Sequence, residues 1–128
     1  MTQFYLSMSS RAKLEGVNSK LQAIVYRAIE ITTVDFIVTE GLRTKERQVK
    51  LVASGASQIM NSRHLTGHAV DLAALIEGEI HWDWPLYYKL ADAMKMAAKD
   101  LKIPLEWGGD WKEFKDGPHF QLPWKDFP

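Results

Sequence analysis

Two histidines and one aspartate have the residue types and the spacing to form a catalytic metal site. His64 and Asp71 lie in the segment SRHLTGHAVD, and His119 lies much later, in the segment DGPHF. Two imidazoles and one carboxylate make a three-ligand zinc site whose fourth position stays open for water, which is typical of catalytic zinc. Such a metal lowers the pKa of water and polarises a carbonyl group. The pattern therefore predicts a zinc hydrolase.

A zinc hydrolase also needs a base and a group that stabilises negative charge. Asp116 stands three residues before His119, so it can share the site without being a metal ligand. Arg43 directly follows the apolar segment DFIVTEGL, where its guanidinium could hold a substrate carboxylate or a developing oxyanion. Glu40 and Glu106 are the rival bases.

Each of these assignments has a structural alternative. Asp71 could be the ion-pair partner of Arg63 or Arg43, because an unpaired carboxylate inside a strand is costly. Asp116 could be a turn residue before Gly117. Arg43 could form an ordinary ion pair at the end of a strand. The residues alone leave these alternatives open.

The other two histidines are weaker ligand candidates. His68 lies four residues after His64, which would be ligand spacing on a helix, but Gly67 between them argues against a helix. We therefore interpret His68 as a structural residue or as one that supports a ligand. His81 is interpreted as a surface residue of a hairpin.

Composition limits the classes of protein that fit. The 128 residues include 46% hydrophobic and 25% charged residues, which is typical of one globular domain covering residues 1–128. Sixteen basic residues balance sixteen acidic ones, so a broadly basic nucleic-acid surface is not expected. The absence of cysteine excludes disulfides, thiolate zinc ligands and a thiol nucleophile. Neither a signal peptide nor a membrane-spanning run is recognisable.

The first half of the chain is predicted to form a helix, a strand and a helix. Apolar residues recur every three to four positions over residues 14–31, which predicts a helix with one buried face. Residues 35–39 are rich in β-formers and predict a strand. Thr44 can cap a second helix over residues 44–54, which Gly55 would end.

The second half brings the chemical residues onto strands and loops. Residues 56–67 are typical of a loop, and residues 69–75 of a strand in which Asp71 stands among small side chains. A turn at Glu77-Gly78 predicts a hairpin. Residues 85–102 predict a helix, and the aromatic, glycine-rich residues 105–122 a strand, a loop and a strand. The expected fold class is α+β, with helices packed on a small antiparallel sheet.

The residues also carry a resemblance to a known family. SRHLTGHAVD is similar to the S-x-H-x-x-G-x-A-x-D motif of the zinc D-alanyl-D-alanine peptidase clan, and DGPHF resembles its second motif. The clan includes D,D-carboxypeptidases, vancomycin-resistance dipeptidases and phage cell-wall endopeptidases, and a Hedgehog signalling domain shares its fold. The likeness to the phage L-alanyl-D-glutamate endopeptidases extends over nearly the whole chain, including the segments DFIVTEGLRTKERQ and EWGGDWKEFKDGPHFQL.

This resemblance implies a role for each motif residue. It makes His64, Asp71 and His119 the ligands of a single zinc ion. It makes Asp116 the catalytic acid and base, and Arg43 a contact to the substrate or the oxyanion. The dipeptidases of the clan have Glu three residues before the last histidine, whereas this chain has Asp116, which favours the endopeptidase branch.

The implied function is hydrolysis of the L-alanyl-D-glutamate bond in peptidoglycan stem peptides. The resemblance further implies a monomeric endolysin without nucleic-acid or stable membrane association. Such an enzyme accumulates in the host cytoplasm and reaches the periplasm after a holin opens the membrane. Two alternatives stay open: a D-alanyl-D-alanine carboxypeptidase of the same clan, and a non-catalytic, zinc-stabilised module that binds the cell wall.

Overall fold

The computed structural model describes residues 3–56, 62–113 and 115–128. This part of the chain forms helices, strands and two single turns of 3-10 helix. The helices are α1 (Met8–Lys13), α2 (Ser19–Ile31), α3 (Lys45–Ala53) and α4 (Trp84–Leu101). The strands are β1 (Asp35–Glu40), β2 (Ala69–Ile76), β3 (Glu79–His81), β4 (Glu106–Trp107) and β5 (His119–Gln121). The 3-10 turns cover Arg63–Thr66 and Gly108–Asp110.

Strand β2 is the centre of an antiparallel sheet. Strand β1 pairs with one edge of β2, while β5 and β3 share the other edge. Strand β5 pairs with residues 69–71 at the start of β2, and β3 pairs with residues 74–76 at its end. Strand β4 extends the sheet from β5. This arrangement confirms the predicted α+β class with a small antiparallel sheet.

Alternation along β2 separates the core from the site. Val70, Leu72 and Ala74 are completely buried in the hydrophobic core that the helices cover. Asp71 lies between them, so its side chain leaves the sheet on the opposite face. The same core includes apolar residues of α2, β1, α4 and β5: Leu21, Ile24, Val25, Ala28, Phe36, Val38, Leu90, Met94, Ala97 and Phe120.

The helix predicted over residues 14–31 was wrong at its beginning. The chain forms the short helix α1, then a turn, and only then α2, which begins at Ser19. Gly16 has a φ of 82°, a left-handed conformation that ends a helix. Asn18 then caps α2, because its side chain accepts a hydrogen bond from the Lys20 amide. Apolar periodicity runs through this turn, since Leu14 and Val17 are buried as well.

The other predicted elements are close to those observed. Thr44 caps α3 by accepting a hydrogen bond from the Arg47 amide. Glu77 and Gly78 both have positive φ, which is the hairpin turn expected there. Of the predicted loop over residues 56–67, residues 57–61 lie outside the described chain. The last part of that loop forms the 3-10 turn that carries His64.

The turn that carries His64 depends on a glycine. Gly67 has a φ of 76°, and a Cβ atom there would lie 2.5 Å from the Gly16 carbonyl oxygen. We expect Gly67→Ala to lower the free energy of unfolding by about 1–3 kcal/mol, because it combines left-handed strain with a backbone clash. Urea unfolding measures this loss. Gly78→Ala is the matched control, since Gly78 has a φ of 81° with no atom within 4 Å of the added Cβ. Equal losses in the two variants would contradict the role of the clash.

Candidate metal centre and active site

His64 is held through both its ring and its backbone. It is 1% exposed, and its amide donates a hydrogen bond to the Ser62 hydroxyl that caps the 3-10 turn. Its carbonyl accepts from the Arg43 amide at 2.9 Å. The Nδ1 atom lies 2.8 Å from the Gly41 carbonyl oxygen, which can only accept. Nδ1 therefore carries a proton, which leaves Nε2, the atom that faces Asp71, to bind a metal.

Asp71 and His119 face each other across neighbouring strands. They are directly paired in the β2–β5 ladder, so their side chains leave the same face of the sheet. One Asp71 oxygen, Oδ1, lies 3.2 Å from His64 Nε2 and 3.2 Å from His119 Nδ1. The two imidazole rings meet edge to face, with centroids 5.1 Å apart. Three residues separated by up to 55 positions thus converge on one point.

The donor atoms of these three residues fit a single metal ion. One ligand atom from each of His64, Asp71 and His119 lies within 4.8 Å of the other two. Among the described residues, these three form the group of histidines and carboxylates that is close enough to hold a metal ion. Two neutral nitrogens and one carboxylate oxygen match the donor set of catalytic zinc, although such sites also accept other divalent ions.

Asp71 and His119 shift each other's pKa values. Burial by itself raises the pKa of Asp71, but the hydrogen bonds and charges of His119 and His64 outweigh it and hold this pKa far below its usual range. Burial lowers the pKa of His119, yet contacts with Asp71 and Gln121 and the charge of Asp116 raise it overall. Without a metal, the positive charge that the raised pKa favours on His119 compensates the Asp71 carboxylate.

Arg43 lies beside the three candidate ligands but is already well occupied. Its Nε and Nη2 atoms donate to the two oxygens of Glu40 at 2.8 and 2.7 Å, and Nη1 donates to Gln48 at 2.7 Å. Nη2 also lies 3.7 Å from Asp71 Oδ2. Arg47 makes a second contact to Glu40, at 3.0 Å. Arg43 is thus both the ion-pair partner considered for Asp71 and a fixed cation at the site.

Asp116 is positioned by a close approach between two loops. Its amide donates to the Gly108 carbonyl at 3.0 Å, and its own carbonyl accepts from the His119 amide at 3.2 Å. A Cβ atom on Gly108 would lie 2.3 Å from the Asp116 carbonyl oxygen, so only glycine fits there. The Trp107 indole donates to the Gly117 carbonyl at 2.7 Å and holds the same loop.

The Asp116 carboxyl group senses the charges of the candidate ligands. It is half-buried, and burial followed by the negative charge of Asp71 raises its pKa above the usual aspartate value. The positive charges of His119, His64 and Arg43 act in the opposite direction and are weaker. A carboxyl group with a raised pKa beside a candidate metal site is a candidate general acid and base.

Several residues considered from sequence lie elsewhere. Arg63 does not pair with Asp71, because its guanidinium donates to the carbonyls of Leu122 and Phe127 near the C-terminus. His68 is outside the ligand group, and its Nδ1 lies 2.6 Å from the Thr66 hydroxyl. Glu106, a rival base, contacts Gln121 at 3.1 Å.

Sequence reasoning missed Gln121, which touches His119 directly. The Gln121 Oε1 atom lies 2.8 Å from His119 Nε2. The alternation His119, Phe120, Gln121 could have revealed it, because strand residues two apart share a face. Trp111 also lies at the site, with its ring centroid 5.2 Å from that of His119.

The fold of this chain also occurs in a solved D,D-dipeptidase structure. A vancomycin-resistance D,D-dipeptidase, VanXYg, solved with a D-Ala-D-Ala phosphinate analogue, shares the fold with a TM-score of 0.54. It is 21% identical, and the match covers 80% of this chain and 47% of that one. At this identity the likeness concerns the fold alone.

The particular family follows from stronger matches. The profile of the phage L-alanyl-D-glutamate peptidases matches residues 2–122, and the chain belongs to this family. The L-alanyl-D-glutamate peptidase of Escherichia phage T5 is 33% identical over 117 residues, covering 88% of this chain and 85% of that protein. The crystal structure of the Serratia marcescens L-Ala D-Glu endopeptidase ChiX is 44% identical, with a TM-score of 0.91 over 97% of this chain and 94% of that one.

Family membership confirms the enzyme class predicted from the sequence, a peptidoglycan peptidase. It also decides against the non-catalytic wall-binding module as an interpretation of this chain. No helix in the described ranges combines the length and the apolar character needed to cross a bilayer.

Proposed function

We propose that this protein is a zinc endopeptidase that cleaves the L-alanyl-D-glutamate bond of peptidoglycan stem peptides. The observation that carries the proposal is the convergence of His64 Nε2, Asp71 Oδ1 and His119 Nδ1 within 4.8 Å of one another. His64 and His119 each have their other ring nitrogen hydrogen-bonded to an oxygen, which is the usual support of metal-bound histidines.

In the proposed mechanism, His64, Asp71 and His119 hold the ion. When bound there, zinc supplies Lewis acidity for the scissile carbonyl and lowers the pKa of water. Asp116 accepts a proton from the attacking water and then returns it to the leaving amine of D-glutamate. This dual use requires Asp116 to be ionised at the start of the cycle and protonated in the middle.

Arg43 supplies fixed positive charge near the reacting carbonyl. Its position is set by Glu40 and Gln48, so little reorganisation is needed when negative charge develops on the substrate. The guanidinium has five N–H bonds, and three are used in these contacts, which leaves two. The remaining N–H bonds are the ones that we assign to the substrate or the oxyanion.

We further propose that the substrate is the cell-wall peptide alone, that the enzyme acts as a monomer, and that nucleic acid is not a partner. Action on peptidoglycan would follow release from the host cytoplasm to the periplasm by a holin. The even charge balance supports the absence of a nucleic-acid partner.

A digest of purified Gram-negative peptidoglycan tests the proposal. The protein is incubated with the wall in three ways: as prepared, with a zinc chelator, and with chelator followed by added zinc. New amino termini are identified by mass spectrometry. We expect D-glutamate amino termini to appear, to vanish with chelator, and to return with zinc.

Each of the other outcomes would contradict a different part of the proposed function. Release of D-alanine would move the enzyme to the carboxypeptidase branch of the fold class. Cleavage that persists with full metal removal would contradict the metal mechanism. Rescue by another divalent ion at lower concentration than zinc would change the metal but keep the three ligands.

Replacing Arg43 by lysine tests its assigned role. Lysine keeps the charge but cannot form the two-pronged contact to Glu40 and reach Gln48 at the same time. We expect kcat/KM for a stem-peptide substrate to fall by about 100-fold, the loss typical of one oxyanion donor, while zinc binding is retained. Arg47→Lys is the matched control, because Arg47 also contacts Glu40 but its side chain is 59% exposed. An unchanged kcat/KM in Arg43→Lys would remove Arg43 from the mechanism.

A further inference from the structure

A row of three polar side chains crosses strands β4 and β5 on the metal face of the sheet. Glu106 pairs directly with Gln121 in the ladder, and His119 lies two residues before Gln121 on the same strand. The next residues along the two strands, Trp107 after Glu106 and Phe120 before Gln121, also pair directly and belong to the hydrophobic core. Strand alternation therefore places Glu106, Gln121 and His119 side by side on the opposite face.

The hydrogen bonds along this row all run in one direction, from His119 through Gln121 to Glu106. Gln121 Nε2 donates to Glu106 Oε2 at 3.1 Å, because a carboxylate accepts hydrogen bonds and an amide nitrogen only donates. The amide oxygen of Gln121 then faces His119 Nε2 at 2.8 Å and must accept from it. His119 Nε2 thus carries a proton, which leaves Nδ1, the atom that faces Asp71, to bind a metal.

The reverse arrangement is unfavourable in this setting. If the Gln121 amide turned over, its oxygen would face the Glu106 carboxylate, and two acceptors would meet. Its nitrogen would face His119 Nε2 and favour the tautomer with the proton on Nδ1, the atom that would bind the metal. Gln121 and His119 are both only 6% exposed, so water cannot easily repair either mismatch.

We propose that Glu106 and Gln121 are positioning residues that hold His119 in the tautomer able to bind the metal through Nδ1. The inference rests on the proposed function, since it takes His119 as a metal ligand. It gives Glu106 a role other than the rival base considered from sequence. The carboxylate orients the amide, and the amide orients the imidazole.

Zinc affinity measured by chelator competition is the first test. We expect Gln121→Leu to bind zinc about 10–100-fold more weakly, the loss typical when the support of a metal-binding histidine is removed. Gln22→Leu is the matched control and should bind zinc as tightly as the unchanged protein. Gln22 is also partly buried and hydrogen-bonded, but its partner is the Val17 carbonyl just before α2, away from the site.

Exchanging Glu106 and Gln121 tests the direction of the hydrogen bonds along the row. Gln121→Glu alone places two carboxylates together and should weaken zinc binding. The double variant, E106Q together with Q121E, restores the same sense of hydrogen bonding. In it, the new amide at position 106 would donate to the new carboxylate at position 121, and that carboxylate would accept from His119. We expect the double variant to recover most of the lost affinity.

Nitrogen-15 NMR of the zinc-loaded protein shows whether the His119 Nε2–H group is held in a hydrogen bond. In the unchanged protein and the double variant, we expect the His119 proton on Nε2 to be protected from exchange with water. In Gln121→Leu that protection should be lost. If Gln121 only stabilised the fold, its replacement would leave the protection of the His119 Nε2 proton unchanged.

Two results would overturn the inference. One is zinc affinity and Nε2 protection in Gln121→Leu equal to those of the unchanged protein. The other, which decides the question even where Gln121→Leu fails to fold, is equal zinc affinity in Gln121→Glu and the double variant. His119→Ala separates the two proposals: if it keeps full zinc affinity, the proposed metal site itself is wrong.

Discussion

Replacing His119 by alanine is expected to weaken zinc binding severely and to abolish peptidoglycan cleavage. His119 supplies one of three ligand atoms that lie within 4.8 Å of one another. Zinc sites of small proteins bind with apparent free energies of about 10–16 kcal/mol, so losing one of three ligands removes about 4 kcal/mol, or about 10³-fold in affinity. Chelator competition measures the affinity, and wall digestion measures the activity.

The matched control for this variant is His68→Ala. His68 lies close to the site in sequence, but its ring contacts Thr66 and it is not part of the ligand group. We expect it to keep both zinc and activity. Full lytic activity in His119→Ala, or a loss of zinc in both variants to the same extent, would contradict the ligand assignment.

Replacing Asp116 by asparagine is expected to separate metal binding from catalysis. Asparagine has nearly the same shape but cannot accept a proton from water, so kcat should fall by about 10²–10⁴-fold, the contribution of a general base. Zinc affinity should stay close to that of the unchanged protein, because Asp116 is not in the ligand group. A loss of zinc together with activity would instead make Asp116 a ligand.

The same variant should stabilise the metal-free protein at neutral pH. Burial and the charge of Asp71 raise the pKa of Asp116 in the folded state, so ionising it costs folding free energy. That cost appears as pH rises from the unfolded pKa through the folded one, and it is absent at lower pH. Urea unfolding of the chelated proteins should therefore show Asp116→Asn to be more stable at pH 7, with the difference vanishing below about pH 4.

Asp110→Asn is the control for both measurements. Asp110 lies in the neighbouring 3-10 turn, where its largely exposed carboxylate forms an ion pair with Lys95 at 2.8 Å. Removing its charge should leave activity unchanged and should not increase stability, since exposed pairs contribute little. Greater stability of Asp110→Asn at pH 7 would point to net charge rather than to the site as the cause.

The sequence by itself determined the enzyme class and most of the elements around the candidate site. His64 and Asp71 could be predicted as candidate ligands because a loop residue and a strand residue are near neighbours in the chain. The cap at Thr44 and the turn at Glu77-Gly78 were predictable because both depend on local backbone preferences. Periodicity failed only where Gly16 interrupts it, because Leu14 and Val17 are buried although they lie outside a continuous helix.

Only the tertiary structure decided how the distant residues meet. The pairing of β2 with β5 places His119 opposite Asp71, although 48 positions separate them in the chain. The pairing of β4 with β5 brings Glu106 to Gln121 and so gives His119 a directed partner. Hydrophobic periodicity shows which face of a strand is buried, but it does not specify which strand lies beside it. The candidate ligands were therefore predictable from the chain, whereas the way they face one another required the assembled sheet.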